Sequence, residues 1–270
     1  MKKVIGILAE KLDHSLSPVI HNYWCKKHEN NFLYKKFEIR KTSLKTFFNN
    51  FKKNKNLRGF NITIPYKEEC LSYCDKLSPS AKKIGSVNLI YKRDNLLIGD
   101  NTDVIGFSKC YRNLRIKNPR SVLIIGAGGA ARAVLYFLNK EKIKNIDIFA
   151  PTLKRKLGLE QSFKFKNFVN KTTKLNKKYD LIINASSAGV VGKPKLNRNI
   201  LSLVVNAKYI IDIVYNPTMT DLLKRASIKD KDYIGGLKML IEQAKPSFEI
   251  WTGKSIKIDK EIYKRVVQNI

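Results

Sequence analysis

Four short segments in the N-terminal part of the chain carry more polar chemistry than a fold requires. They are His14-Ser15-Leu16-Ser17-Pro18, Asn61-Ile62-Thr63-Ile64-Pro65-Tyr66-Lys67, Gly85-Ser86-Val87-Asn88 and Gly99-Asp100-Asn101-Thr102-Asp103. Hydroxyls beside a helix start can hold a carboxylate together with backbone N–H groups, which is what Ser15 and Ser17 offer. Asn61 and Thr63 share one side of a strand by two-residue alternation. Lys67 follows on the next turn, and strand ends are where open α/β sheets place ligands. Asn88, in an otherwise apolar strand, needs a polar partner if buried. Asp103 stands where one domain hands over to the next, a place for a proton handler or a ligand anchor. Each has a plainer use when read alone: Ser17 as a helix cap, Lys67 as one of 53 basic residues, Asp103 in an Asx turn. Together, a lysine, a carboxylate, amides and hydroxyls can converge on one polyhydroxylated anion.

The second half carries a different signal. Ser121-Val122-Leu123-Ile124-Ile125-Gly126-Ala127-Gly128-Gly129-Ala130-Ala131 reads as a strand, a G-x-G-x-x-A turn and a helix start. Gly126 permits the tight turn, Gly128 lets backbone approach a pyrophosphate, and Ala131 permits close helix–strand packing. The N–H groups at the helix start then hold phosphates. No G-K-S/T follows, so this is not a Walker loop. A site for NAD usually has an Asp or Glu at the end of the following strand. Here that place reads Ala150-Pro151-Thr152-Leu153-Lys154-Arg155-Lys156, and Asp147 lies about two residues too early. Hydroxyl and cationic donors suit a 2′-phosphate, so NADP(H) is expected, with NAD(H) as the alternative. Pro151 donates no N–H to such a clamp.

These motifs need elements to position them. Strands are expected at Val4 to Ala9, Phe32 to Ile39, Leu57 to Ile64, Ser121 to Ile125, Ile146 to Phe149, Leu181 to Asn184 and Tyr209 to Val214, with a hairpin formed by Ser86 to Tyr91 and Leu96 to Gly99. Helices are expected at 19–28, with Ser17 and Pro18 as its cap and first residue, and at Thr42 to Phe51, Tyr66 to Cys74, Ile105 to Leu114 and Ala130 to Asn139. Two more follow from Leu237, separated by Thr252-Gly253-Lys254. Leu153 to Lys178 is basic and poorly periodic. The alternation predicts a two-domain α/β chain: residues 1–103, completed by 237–270, as a substrate-binding domain, and 104–236 as a Rossmann-type dinucleotide-binding domain, with a cleft between them.

Composition fits this and excludes other classes. Hydrophobic residues make up 43% of 270, enough for sizeable cores. Four cysteines do not make a disulfide scaffold, and Cys70 and Cys74 read as buried apolar residues. His14, His21 and His28 have no acidic partners patterned with them, so no metal is expected. There is no apolar run long enough to cross a membrane and no leader-like start, which makes the cytoplasm the expected compartment. The net charge of +31 favours anionic ligands. The basic residues are spread along the chain rather than gathered on one face, so no specific nucleic-acid role is expected.

The sequence resembles the shikimate dehydrogenases over nearly its whole length. The likeness rests on the four polar segments with His21-Asn22 and Gly106, on the glycine turn, and on Asn184-Ala185-Ser186-Ser187-Ala188-Gly189. It also rests on Asp212-Ile213-Val214-Tyr215-Asn216-Pro217 and on Gly236, Met239, Leu240 and Gln243. The resemblance implies reversible, NADPH-dependent reduction of 3-dehydroshikimate to shikimate in aromatic amino acid biosynthesis, by a monomer or homodimer. It implies that Ser15, Ser17 and Tyr215 hold the substrate carboxylate, that Thr63, Asn88 and Gln243 bind ring hydroxyls, and that Lys67 and Asp103 form the catalytic pair. Gly126, Ala127, Gly128, Gly129 and Ala130 would carry the pyrophosphate, with Gly236, Thr152, Lys154 and Arg155 as further cofactor residues. The chain departs from the family's pattern at Ala9-Glu10-Lys11-Leu12, Leu89, Ala150-Pro151-Thr152 and Gly235. Two other readings remain open: a quinate/shikimate dehydrogenase using NAD, and a non-catalytic nucleotide-binding regulator.

Overall fold

The computed structural model describes residues 2–171, 175 and 178–270, and the chain divides into two compact units. The first takes the N-terminal part through Thr102 together with Ile241–Asn269, and the second takes Asp103–Leu240. Along the first run β1 (Lys3–Ala9), α1 (Ser17–Lys27), β2 (Phe32–Glu38), α2 (Leu44–Lys53), β3 (Leu57–Ile62), β4 (Lys76–Leu77), α3 (Pro79–Ile84), β5 (Leu89–Arg93) and β6 (Leu96–Asp100). Then come α4 (Asp103–Asn113), β7 (Val122–Ile125), α5 (Gly129–Lys140), β8 (Ile146–Phe149), α6 (Lys156–Glu160), β9 (Asn167–Val169), β10 (Leu181–Asn184), α7 (Arg198–Ser202), β11 (Tyr209–Asp212), α8 (Asp221–Ile228), β12 (Asp232–Ile234), α9 (Gly236–Thr252) and α10 (Lys260–Val267).

The first unit holds a mixed sheet in the order β2-β1-β3-β5-β6-β4. β1 pairs in parallel with β2 and β3, whereas β5 runs antiparallel to both β3 and β6. Asp94 and Asn95, between β5 and β6, both have positive φ, as a tight two-residue hairpin loop demands. The apolar face of α2 packs Leu44, Phe48 and Phe51 against Phe60, Ile62 and Leu97. Full burial stabilises each phenylalanine by about 2 kcal/mol. A second aromatic cluster joins α1 to α9: His21 stacks on Tyr34 at 4.3 Å, meets Trp24 edge-on and Trp251 tilted, and lies near-parallel to Phe248 at 6.1 Å. Gly59 has room for this cluster because a Cβ there would stand 2.4 Å from the Trp251 Nε1.

His21 is fully buried, neither ring nitrogen makes a hydrogen bond, and desolvation lowers its pKa to about 3, opposed in part by nearby Asn61. Below its ordinary pKa of about 6.5 the unfolded chain takes up a proton that the folded one refuses, so stability is lost as pH falls. Denaturant titrations of wild type and His21→Phe check this. Between about pH 6.5 and 5 the wild type is expected to lose about 2 kcal/mol more than the variant.

The second unit is a parallel sheet in the order β12-β11-β10-β7-β8-β9. Renumbered from β7 as the first strand, that is 3-2-1-4-5-6, the doubly wound order whose direction reverses between β7 and β10. The central strands β7 and β10 are buried on both faces, which is why they read as nearly unbroken apolar runs. Val122 and Ile124 of β7 face a core with Phe107 of α4 and Val134, Leu135 and Leu138 of α5. Leu123 and Ile125 face the opposite core, with Ile200, Val204, Leu222 and Leu223.

Several expectations shift. The helix expected at Tyr66 to Cys74 is instead a turn and a 3₁₀ segment at Glu69–Tyr73. Tyr66 is drawn into the core and its hydroxyl donates to the Ile39 carbonyl, which anchors the chain before a second helical turn forms. Strand β3 stops at Ile62, so Thr63 lies just past it. Asn88 precedes β5 rather than lying within it, because Val87 N–H leaves the ladder for the Lys67 carbonyl. Ser17 is the first residue of α1 and makes no cap, the cap position falling on Leu16. The two units part inside α9, at Leu240, because Met239 still packs in the parallel-sheet core. Of the stretch read as irregular, 172–174, 176 and 177 lie outside the described residues.

Candidate active site

In the first unit the polar segments are joined by hydrogen bonds. Asn88, 2% exposed, receives the Thr102 N–H on its Oδ1 at 2.7 Å and donates through Nδ2 to Thr102 Oγ1 at 2.9 Å and Gln243 Oε1 at 3.3 Å. Asn61 donates to the Asn88 carbonyl at 3.1 Å and to Ser247 Oγ at 3.0 Å, and its Oδ1 accepts the Tyr34 hydroxyl at 2.9 Å. The Ser17 hydroxyl in turn bonds the Tyr34 phenol, whose pKa burial pushes well up. One chain of contacts therefore runs from Ser17 through Tyr34 and Asn61 to Asn88, Thr102 and Gln243. Ser15 is half-buried in the turn before α1, its N–H bonded to the Leu12 carbonyl. Lys67 is half-buried on the turn after β3, and its carbonyl takes the Val87 N–H, which ties that turn to the segment bearing Asn88. Thr63 stands at the start of the same turn, its carbonyl accepting from Tyr66.

In the second unit Asp103 is buried at the first position of α4, where a helix N-terminus favours a negative charge. The glycine turn occupies the end of β7 at the switch point. Gly126 has φ +114°, and a Cβ on it would stand 2.7 Å from the Ala185 carbonyl oxygen. Around Gly128, by contrast, nothing approaches a would-be Cβ within 4 Å. Gly129 and Ala130 open α5, and Ala127 is buried. This open cradle at a helix start suits a pyrophosphate. Asp147 is occupied structurally: it accepts from Asn167 at 2.7 Å and from the Tyr179 hydroxyl at 2.8 Å. Thr152, Lys154 and Arg155 are exposed past the end of β8. Gly236 is obligatory, since a Cβ there would lie 2.1 Å from the Ile213 carbonyl oxygen. Tyr215 sits two residues beyond Ile213, half-buried, with its pKa raised by desolvation. Its loop is held by Asp212, whose carboxylate accepts from Asn184, Val214 N–H and Thr220 and is nonetheless raised to about 6 by burial.

Comparison with known proteins decides the family. Residues 7–90 match the "Shikimate dehydrogenase substrate binding domain" family, and residues 236–260 match the "Shikimate 5'-dehydrogenase C-terminal domain" family. The NADP(+) shikimate dehydrogenase of Pelagibacter ubique is 34% identical over 263 residues, 97% of each chain. The chain belongs to the shikimate dehydrogenase family. Among solved members, the shikimate dehydrogenase of Aquifex aeolicus is 33% identical with a TM-score of 0.88, covering 99% of this chain and 98% of the other. That of Listeria monocytogenes, solved with shikimate and NAD, is 28% identical with a TM-score of 0.85, covering 98% and 96%. The two-domain fold, with one parallel Rossmann-like sheet and one mixed sheet, is that of shikimate dehydrogenases.

Residue-type reasoning missed three members of this network: Tyr34, Thr102 and Ser247. Thr102 and Ser247 are almost wholly buried, at 1% and 0% exposed, in a chain whose serines and threonines are mostly ordinary surface groups. The one available signal was that Thr102 lies between Asn101 and Asp103 in a segment already marked as polar. Among the described residues no helix is long and apolar enough to cross a membrane.

Proposed function

We propose that this protein, as an NADP(H)-dependent shikimate dehydrogenase, interconverts 3-dehydroshikimate and shikimate in aromatic amino acid biosynthesis, the first unit binding substrate and the second the dinucleotide. The observation that carries the reading is the hydrogen-bonded set Ser17, Asn61, Asn88, Thr102 and Gln243, assembled from segments far apart in sequence. The dinucleotide supplies or accepts the hydride when bound. As negative charge develops on the carbonyl oxygen, the Lys67 ammonium stabilises it and donates the proton. Asp103 orients that lysine and binds a neighbouring hydroxyl. Ser15, Ser17 and Tyr215 hold the carboxylate, while Thr63, Asn88 and Gln243 bind the ring hydroxyls.

Gly126 to Ala130, with Gly236, hold the pyrophosphate and nicotinamide end; the open space at Gly128 fits that use. Thr152, Lys154 and Arg155 take the 2′-phosphate through exposed hydroxyl and cationic donors. Replacing both Lys154 and Arg155 by Ala is expected to raise the KM for NADP about 10-fold or more and leave that for NAD within about 2-fold. Steady-state rates with each cofactor check this, and equal effects on both would remove the assignment. The same reading makes this a cytoplasmic protein, a monomer or homodimer, whose partner is a small anion rather than nucleic acid or a membrane.

The deciding assay follows NADPH formation from shikimate and NADP by the purified protein, repeated with NAD and with quinate. Turnover of shikimate with NADP is the expected result. Preference for NAD and quinate would favour the broader dehydrogenase, and cofactor binding without turnover would favour a regulator.

A further inference from the structure

The side-chain amide of Asn184, at the end of β10, has both of its ends assigned by the backbone. Ser186 N–H can only donate and the Ala188 carbonyl can only accept, so Oδ1 faces the first at 3.2 Å and Nδ2 the second at 3.0 Å. The Ser186 hydroxyl donates to the same Oδ1 at 2.7 Å and accepts the Ala188 N–H at 3.1 Å. The second Nδ2 hydrogen goes to Asp212 Oδ1 at 3.0 Å, so every hydrogen and lone pair of this buried amide is used. Asp212, equally buried at the end of β11, accepts the Val214 N–H on the same oxygen at 3.0 Å and the Thr220 hydroxyl on Oδ2 at 2.6 Å. Two side chains thus fix the course of the loop after β10, the loop after β11 and the start of α8, which Thr220 caps.

The first of these loops lies against the glycine turn, where a Cβ on Gly126 would stand 2.7 Å from the Ala185 carbonyl oxygen and 3.0 Å from the Ser186 nitrogen. The other side of the turn is held separately, by the Gly126 N–H donating to the Phe149 carbonyl at the end of β8. In a doubly wound sheet the half with β7, β8 and β9 takes the adenosine end of a dinucleotide, and the half with β10, β11 and β12 takes the other mononucleotide. We infer that Asn184 and Asp212 form a positioning pair that locks the loops after β10 and β11 into one platform beside the glycine turn, on which the nicotinamide half of the dinucleotide rests. This depends on the reading of that turn as the dinucleotide cradle. Both side chains are 0% exposed, so they act through the loops they hold and touch no reacting atom. Truncating either one leaves the backbone bonds from Ile213 N–H to the Asn184 carbonyl and from Val191 N–H to the Asn216 carbonyl, so the sheet edge survives while the loops lose their fixed course.

The test measures the affinity of two probes, NADPH by fluorescence and adenosine 2′,5′-bisphosphate by calorimetry; the second carries the adenosine end without the nicotinamide. Asn184→Ala and Asp212→Ala are each expected to weaken NADPH about 10-fold and to leave the bisphosphate within about 2-fold of wild type. Because the two act as one unit, the double variant is expected to bind NADPH within about 2-fold of the weaker single variant. Asp212→Asn is expected to stay within about 2-fold of wild type with both probes: its Oδ1 can take the Asn184 and Val214 donors, and its Nδ2 can donate to the Thr220 hydroxyl. Should the buried Ala variants fail to fold, Ser186→Ala carries the test, since Ser186 is half-buried and its loss removes only the hydroxyl bonds to Asn184 and Ala188. It is expected to weaken NADPH about 3-fold with the bisphosphate unaltered. Equal losses for both probes would assign the effect to general disruption of the unit and overturn the proposal, as would additive effects in the double variant or NADPH affinity unaltered by Asn184→Ala, Asp212→Ala or Ser186→Ala. Wild-type protein that binds neither probe would overturn the dinucleotide reading itself, and this proposal with it.

Discussion

Replacing Lys67 by Ala is expected to lower turnover of shikimate by about 100-fold or more while leaving dinucleotide binding within about 2-fold of wild type. The split follows from where the residue lies. Lys67 belongs to the first unit, on the turn after β3, and the glycine cradle belongs to the second. Its backbone carbonyl, not its ammonium, makes the structural bond to Val87, so truncating the side chain leaves that tie in place. What is lost is a cation and proton source at the oxygen that gains charge, a contribution made in the transition state rather than in the bound ground state. Steady-state kinetics together with a fluorescence titration of NADPH measure the two effects separately. Unchanged turnover would remove Lys67 from the chemistry, and a matching loss of cofactor affinity would show that the substitution had disturbed the fold.

The second large effect separates two glycines of the same turn. Gly126→Ala places a Cβ 2.7 Å from the Ala185 carbonyl oxygen and 2.9 Å from its carbon, at φ +114°. Both the backbone conformation and the clash oppose it, and the neighbour is strand-end backbone that cannot swing aside. A loss of about 3 kcal/mol of stability is expected, seen as a lower unfolding midpoint. Gly128→Ala meets nothing within 4 Å. Its stability should stay within about 0.5 kcal/mol of wild type, while NADPH affinity falls about 10-fold or more because the methyl group occupies the space the pyrophosphate needs. Thermal unfolding and cofactor titration of the two variants test this. Gly128→Ala with unaltered affinity would mean that the dinucleotide does not cross this turn.

The parallel-sheet unit was the more legible half. Strands β7, β8 and β10 are four-residue strands, apolar but for Asp147 and Asn184, and each matches its expected start and end to within a residue. Strands buried on both faces have no alternation to confuse, so composition alone marks them. The short elements were overlooked. Ser78 caps α3 by accepting the Ala81 N–H, Pro79 follows it and Gly85 closes it at φ 69°, all signals present in the sequence but attached to a helix of only six residues. Thr220 caps α8 in the same way.

In the candidate site, individual polar residues stood out in the sequence and their connections did not. Ser15, Ser17, Lys67, Asn88 and Asp103 announce themselves as polar groups in unusual company. The bonds that orient them span 14 residues from Asn88 to Thr102 and 186 from Asn61 to Ser247, which no local pattern encodes. Ser17 shows the cost of a local rule: a hydroxyl beside a helix start invited a capping role, yet it bonds the Tyr34 phenol instead. The 2′-phosphate segment after β8 lies at the other extreme, its donors exposed and set by composition more than by packing.

Hydride transfer to the ring carbonyl is the claim on which the residue assignments depend, and isotope transfer measures it without inference from rates. The purified protein is mixed with 3-dehydroshikimate and NADPH carrying deuterium at both C4 positions of the nicotinamide, and the product is analysed by mass spectrometry and NMR. The account predicts shikimate bearing one deuterium on the former carbonyl carbon. Recovery of unreacted 3-dehydroshikimate, or of product without the label at that carbon, would contradict it.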